Sequence, residues 1–100
     1  MDQPPLDPTD FEFAAAMLRM AGHPVRLRIV EILQQLGEVP VNQLQDQLRL
    51  AQPAVSQHLN KMKALGLLRA QRRGGMVYYS VAKPQLFRLL DCIRGCKRPA

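Results

Sequence analysis

The residues of this 100-residue chain best suited to chemistry are amides, short hydroxyls and cations gathered in two places. The first is Ala51-Gln52-Pro53-Ala54-Val55-Ser56-Gln57-His58-Leu59-Asn60-Lys61-Met62-Lys63-Ala64-Leu65-Gly66, which sorts into the two sides of a short helix at ~100° per residue. Val55, Leu59 and Met62 fall on one stripe with Leu65 beside them, and Pro53, Ser56, Gln57, Asn60 and Lys61 fall opposite. Gln and Asn can pair two-pronged with adenine, Ser with several bases, and Lys with guanine or phosphate, so the outward set suits a DNA groove. No carboxylate interrupts the stretch. Gln52 stands at its entry, and His58 lies about 60° off the inward stripe, placed either to brace the helix or to touch a phosphate. The second gathering is Arg72-Arg73 before Gly74-Gly75. The DNA-contact candidates are therefore Gln52, Ser56, Gln57, His58, Asn60, Lys61, Arg72 and Arg73.

Cys92 and Cys96 are the only cysteines, spaced to lie on one flank of a helix and about 6 Å apart along its axis. They read either as a thiol sensor, a redox pair or two ligands for a thiophilic ion such as As(III), or as two small apolar residues buried at a dimer seam. Arg94, Lys97 and Arg98 favour thiolate there, whereas the negative end of a helix opposes it. A disulfide needs Cα atoms within roughly 4.4 to 6.8 Å, which an intact helix barely offers at this spacing. The pair implies no obligatory cofactor, and a thiophilic metal is the one metal it would suit. His23, at a helix junction before Pro24, reads as structural, with metal ligation as the alternative. Catalysis finds no footing: there is no nucleophile with a partner base, no carboxylate pair at helical spacing and no Gly-rich phosphate loop before a helix.

Charge points to the same partner as the amides. The net charge is +6, and its distribution is uneven. Asp2, Asp7, Asp10 and Glu12 crowd the start, and no acid lies between Asp46 and Asp91, so the central stretch is purely basic. That is the footprint of a polyanion-binding face. The longest apolar run, Phe13 to Leu18, is too short to span a bilayer, and the acidic, Pro-rich start lacks the features of a signal peptide. The expected location is the cytoplasm, without a membrane partner, and the cysteines are expected as thiols.

The elements that must position these residues are legible as punctuation and periodicity. Residues 1–8, with Pro4, Pro5 and Pro8, read as a loose arm, 9–96 as one folded DNA-binding and dimerisation domain, and 97–100 as a basic tail. A capping box of Thr9 and Glu12 is expected to open a first helix, running to about Ala21 with Phe13, Ala16, Met17 and Met20 at helical spacing. A second, central helix starts at Pro24, places Val25, Ile29, Ile32, Leu33 and Leu36 on its stripe, and stops at Gly37. Val39-Pro40-Val41 is a link too short for more than an edge strand. Asn42, with Gln45 reaching back, is expected to cap a third helix whose Leu44 and Leu48 face inward, and Leu50 to Gln52 form the turn into the amide-rich helix. Two helices so joined form a helix-turn-helix. Residues 67–73 and 76–81 read as strands joined by Gly74-Gly75, a basic hairpin that can lay arginines on phosphates or into a minor groove. A last helix opens at Lys83-Pro84, carries Leu86, Leu89, Leu90 and Ile93 on one face, and ends near Gly95. The fold class is mainly α with a small β-hairpin, a winged helix-turn-helix expected to be dimeric because its first and last helices carry more apolar surface than one small core absorbs.

The chain resembles the ArsR-type winged-helix repressors. The resemblance rests on Gly22-His23-Pro24-Val25-Arg26-Leu27-Arg28-Ile29-Val30, on Gln52-Pro53-Ala54-Val55-Ser56-Gln57-His58-Leu59, and on Gly66-Leu67-Leu68 into Arg72-Arg73-Gly74 and Val77-Tyr78-Tyr79-Ser80, and it covers roughly residues 10 to 95. It implies a homodimer made by the first and last helices, bound to a palindromic operator in double-stranded DNA until an inducer releases it. The Cys-x-Cys metal motif of many relatives is absent from the link around Val39 and Val41, and the last helix has no His for the carboxylate and His zinc site of others. Ala51 replaces the Ser common at the entry to the recognition helix, which leaves that helix without a side-chain cap. Two alternatives stay open: a winged-helix protein-interaction module, or a repressor with no cysteine-based sensing. A non-specific nucleoid protein is a third, less common one.

Overall fold

The computed structural model describes residues 3–96; the tail at 97–100 and the first two residues of the expected arm lie outside the described residues. Five helices and three strands follow in the order α1 (Pro8–Ala21), α2 (Pro24–Leu36), β1 (Val39–Pro40), α3 (Val41–Leu48), α4 (Gln52–Ala64), β2 (Leu68–Arg73), β3 (Met76–Val81) and α5 (Gln85–Gly95). This is a winged helix-turn-helix with a small three-stranded sheet.

The first helix starts earlier than its sequence suggests. Asp7, not Thr9, is the N-cap: its side chain accepts from the Asp10 N–H at 3.0 Å, and Asp10 returns the bond to the Asp7 N–H. Pro8 decides between the two caps, because a proline costs nothing at the first helical position, where its missing N–H is unpaired anyway. Asn42 likewise does not cap α3. The helix has already begun at Val41 with Pro40 as N-cap and no side-chain cap, and Asn42 Oδ1 instead accepts from the next residue's N–H at 2.9 Å. At Ala51 the expectation of an uncapped α4 holds: the residue is extended at φ −69° and ψ 152°, and no side chain caps the helix.

The core sits where α2, α3, α4 and α5 meet the inner face of the sheet. Ile29, Val30 and Leu33 from α2 pack with Leu44, Val55, Leu59, Met62, Leu67 and Leu86, all nearly inaccessible. Val30 joins this core outside the anticipated stripe, whereas Leu36 is 49% exposed because the last turn of α2 runs past the core. Fully burying one such aliphatic side chain contributes about 1.5 to 3 kcal/mol, so the inward stripe of α4 fixes the orientation of its polar side. Val39 of β1 is fully buried and pairs with Tyr79, so β1 is an edge strand in the order β1-β3-β2. Gly74 and Gly75 turn β2 into β3 with φ of 55° and 81°; two successive positive φ values make the primed turn that matches strand twist.

Candidate nucleic-acid interface

The turn between α3 and α4 occupies residues 49–51, and Arg49 adopts the left-handed conformation (φ 56°, ψ 46°) while donating its backbone N–H to the Gln45 carbonyl at 2.7 Å. From that turn α4 leaves with Val55, Leu59 and Met62 buried to 1% exposure or less. Gln57, Asn60 and Lys61 stand exposed on the opposite side, with Ser56 half-buried at its margin. Gln52 is exposed in the first turn, about 140° around the axis from Gln57. It therefore shares a flank with Lys63, which sequence reasoning passed over and which is also exposed.

His58 is half-buried between α4 and α2. Its Nδ1 accepts from Arg26 Nε of α2 at 3.1 Å, and its ring meets that of His23 edge-on, centroids 4.6 Å apart. These contacts brace α4 against α2. Burial, then the nearby His23, Arg26 and Lys61, hold its pKa below the ordinary value. His23 is structural, as expected: it is the N-cap of α2, and its Nδ1 accepts from the Val25 N–H at 3.2 Å.

The wing separates its two arginines. Arg72 pairs across the ladder with Val77 near the tip, is exposed, and makes no ion pair among the described residues. Arg73 is drawn back: it forms a salt bridge with Glu38, in the turn before β1, and its guanidinium lies 4.3 Å from the Tyr78 ring centre. The antiparallel pairing of β1 with β3 brings Glu38 to this face, a neighbour that local sequence around Arg73 does not reveal. Arg69 and Gln71, also exposed on β2, extend the basic and amide surface below the tip.

Cys92 and Cys96 are both exposed free thiols in the single subunit. The Cys96 N–H donates to the Cys92 carbonyl at 3.0 Å, and Cys96, with φ −110° and ψ 54°, already lies outside helical geometry as the C-cap of α5. Arg94 does not serve the thiols alone, since it is held by Asp91 at 2.9 Å and Gln34 at 3.0 Å. Lys97 and Arg98 lie outside the described residues. Among the described residues no three His, Cys, Asp or Glu side chains assemble into a metal site. No helix among them is long and apolar enough to cross a membrane.

The model of the arsR family of bacterial regulatory proteins matches residues 23–70, from the cap of α2 to the start of the wing. The transcriptional repressor PagR of Bacillus anthracis is 39% identical over 72 residues, which are 72% of each chain. The chain belongs to the arsR family. The crystal structure of PagR superposes with a TM-score of 0.78 at 34% identity, covering 86% of this chain and 98% of that one. NolR from Sinorhizobium fredii superposes with a TM-score of 0.80 at 30% identity, covering 98% of this chain and all of the other. As an arsR-family member the protein is a DNA-binding transcriptional regulator and not an enzyme, and the amide-bearing α4 is the second helix of its helix-turn-helix.

Proposed function

We propose that the protein is a homodimeric repressor that grips a palindromic operator and lets go when a small inducer binds. The observation that carries this reading is the polarity of α4: a wholly buried stripe on one side and exposed Gln57, Asn60 and Lys61 on the other, with no acid along the helix. In this reading Gln57, Ser56 and Asn60 meet base edges in the major groove, while Lys61, Gln52 and Arg72 hold the backbone or the minor groove. His58 supports α4 rather than touching DNA, and Arg73 anchors the wing.

Dimerisation is supported by apolar side chains left uncovered on two helices. Phe11 and Leu18 of α1 are 59% and 55% exposed, and Ile93 of α5 is 43% exposed. A two-fold seam over these helices would cover them and set the two α4 helices about 34 to 36 Å apart, one turn of DNA. The release signal is assigned to Cys92 and Cys96, because both thiols are accessible and Cys96 already departs from the helix. Oxidation of the pair, or a thiophilic ion bridging it, would reshape the end of α5 beside that seam.

The test begins with a duplex selected by the protein from a random pool at pH 7.5. Gln57→Ala is expected to weaken binding to it by about 1 to 3 kcal/mol and to relax preference at one position of each half-site. Sedimentation is expected to show a dimer on one duplex. A Gln57→Ala variant with unchanged affinity and preference would contradict the docking, and a monomer with full affinity would contradict the seam.

A further inference from the structure

Arg26 stands where three helices meet. From the first turn of α2 its Nη1 donates to the Met20 carbonyl at 3.2 Å and lies 3.1 Å from Met20 Sδ, both in the last turn of α1, while its Nε donates to His58 Nδ1 in the middle of α4. The Met20 carbonyl is one of the last four in α1, which have no partner within their helix, so this contact also finishes α1. His23 packs its ring on the edge of His58 with an interplanar angle of 62°. Both imidazoles accept at Nδ1, which assigns each proton to Nε2.

We propose that Arg26 is a positioning residue for the DNA-reading helix, and that its dependence on a neutral His58 makes operator binding weaken on acidification. The proposal rests on the reading of α4 as the helix that meets the bases. A protonated His58 carries a hydrogen on Nδ1 and can no longer accept from Arg26, so two donors face each other and the link from α2 to α4 is lost. The groups that act on His58 are His23 and Arg26 from the start of α2 and Lys61 from its own helix; α1 contributes the Met20 carbonyl and sulfur to Arg26, and no carboxylate is among the groups that shift His58. Burial and these neighbours depress its pKa below 6.5, so the link is intact at pH 7.5 and is lost as the pH falls through the depressed value. Base contacts tolerate little misplacement of the helix that carries them, and affinity falls with the link.

The sign of the effect separates this role from a DNA contact. A histidine on a phosphate gains charge in acid and binds more tightly, whereas a histidine that must accept from Arg26 binds more weakly. Affinity for the selected duplex is measured by fluorescence anisotropy from pH 7.5 to 5.5, with far-UV circular dichroism at each pH. The wild type is expected to lose affinity progressively toward the acid end of this range, by up to about tenfold, the scale of one charge-assisted hydrogen bond. His23→Asn, which keeps a capping acceptor without a titrating ring, is expected to show the same loss. Arg26→Ala and His58→Ala are expected to start about tenfold weaker at pH 7.5 and to lose no more in acid. His58→Asn offers Oδ1 near the position of Nδ1 at every pH, and is expected to rescue most of the affinity of His58→Ala and to abolish the acid loss. Unchanged or tighter wild-type binding in acid, or an Arg26→Ala variant as tight as wild type, would overturn the proposal. So would an acid loss of helicity that persists in His58→Asn. Failure to select any duplex at pH 7.5 would count against the functional reading instead.

Discussion

Arg72 and Arg73 are adjacent in sequence and should differ sharply in what they do for DNA binding. Each phosphate neutralised contributes about 0.9 to the slope of log affinity against log salt, and a dimer carries each wing twice, so Arg72→Ala should flatten the slope by about 1.8. Over a fourfold rise in salt that amounts to roughly a tenfold difference in how much affinity is lost. Arg73 is held by Glu38 and by the Tyr78 ring, and reaching a phosphate would forfeit both contacts. The ion pair is partly solvated, with side chains 48% and 35% exposed, so it contributes at most about 1 kcal/mol, and the ring contact about 0.5 to 1 kcal/mol. Arg73→Ala should therefore lower the melting temperature slightly and leave the slope nearly unchanged. Glu38→Gln should do the reverse, freeing Arg73 and steepening the slope. Anisotropy titrations of a labelled duplex across a salt series would measure all three. If Arg73→Ala flattened the slope as much as Arg72→Ala, the assignment of Arg73 to the wing's anchorage would be wrong.

Other substitutions probe the scaffold and the signal. Ala51→Ser supplies the missing cap of α4 at a residue already extended, and thermal melting is expected to show stabilisation of about 0.5 to 2 kcal/mol. Leu59→Ala removes a fully buried side chain under the reading face, and urea unfolding should report a loss of about 2 to 5 kcal/mol. Replacing Cys92 and Cys96 together by Ser should leave DNA binding intact and abolish release by oxidant or As(III); release that persists in the double variant would place the sensor elsewhere.

The parts of this fold that were legible in sequence are those set by local spacing. The buried and exposed sides of α4 follow from the recurrence of Val55, Leu59 and Met62, and the hairpin from Gly74-Gly75, because each signal spans only a few residues. The cap of α1 lies two positions before the Thr9 that sequence suggests, because Asp7 and Thr9 are both competent caps and only the fit of Pro8 at the first helical position separates them. Asn42 differs for a similar reason: a good capping residue one place too late lies inside the helix. The pairs that redefine the site were out of reach, since Arg26 meets His58 across 32 positions and Arg73 meets Glu38 across 35. At Leu36 the apolar periodicity of α2 continues past the end of the core.

The central claim, that this chain is a sequence-reading repressor working through α4 and the wing, is tested most directly by comparing the selected palindrome with a scrambled duplex of equal length between 50 and 200 mM salt. A steep loss of affinity with salt is expected on both duplexes, with a preference for the palindrome of about a thousandfold or more. Equal affinity for the two would mark a non-specific DNA coat, and binding that is weak and insensitive to salt would mean that the exposed side of α4 serves a protein partner instead.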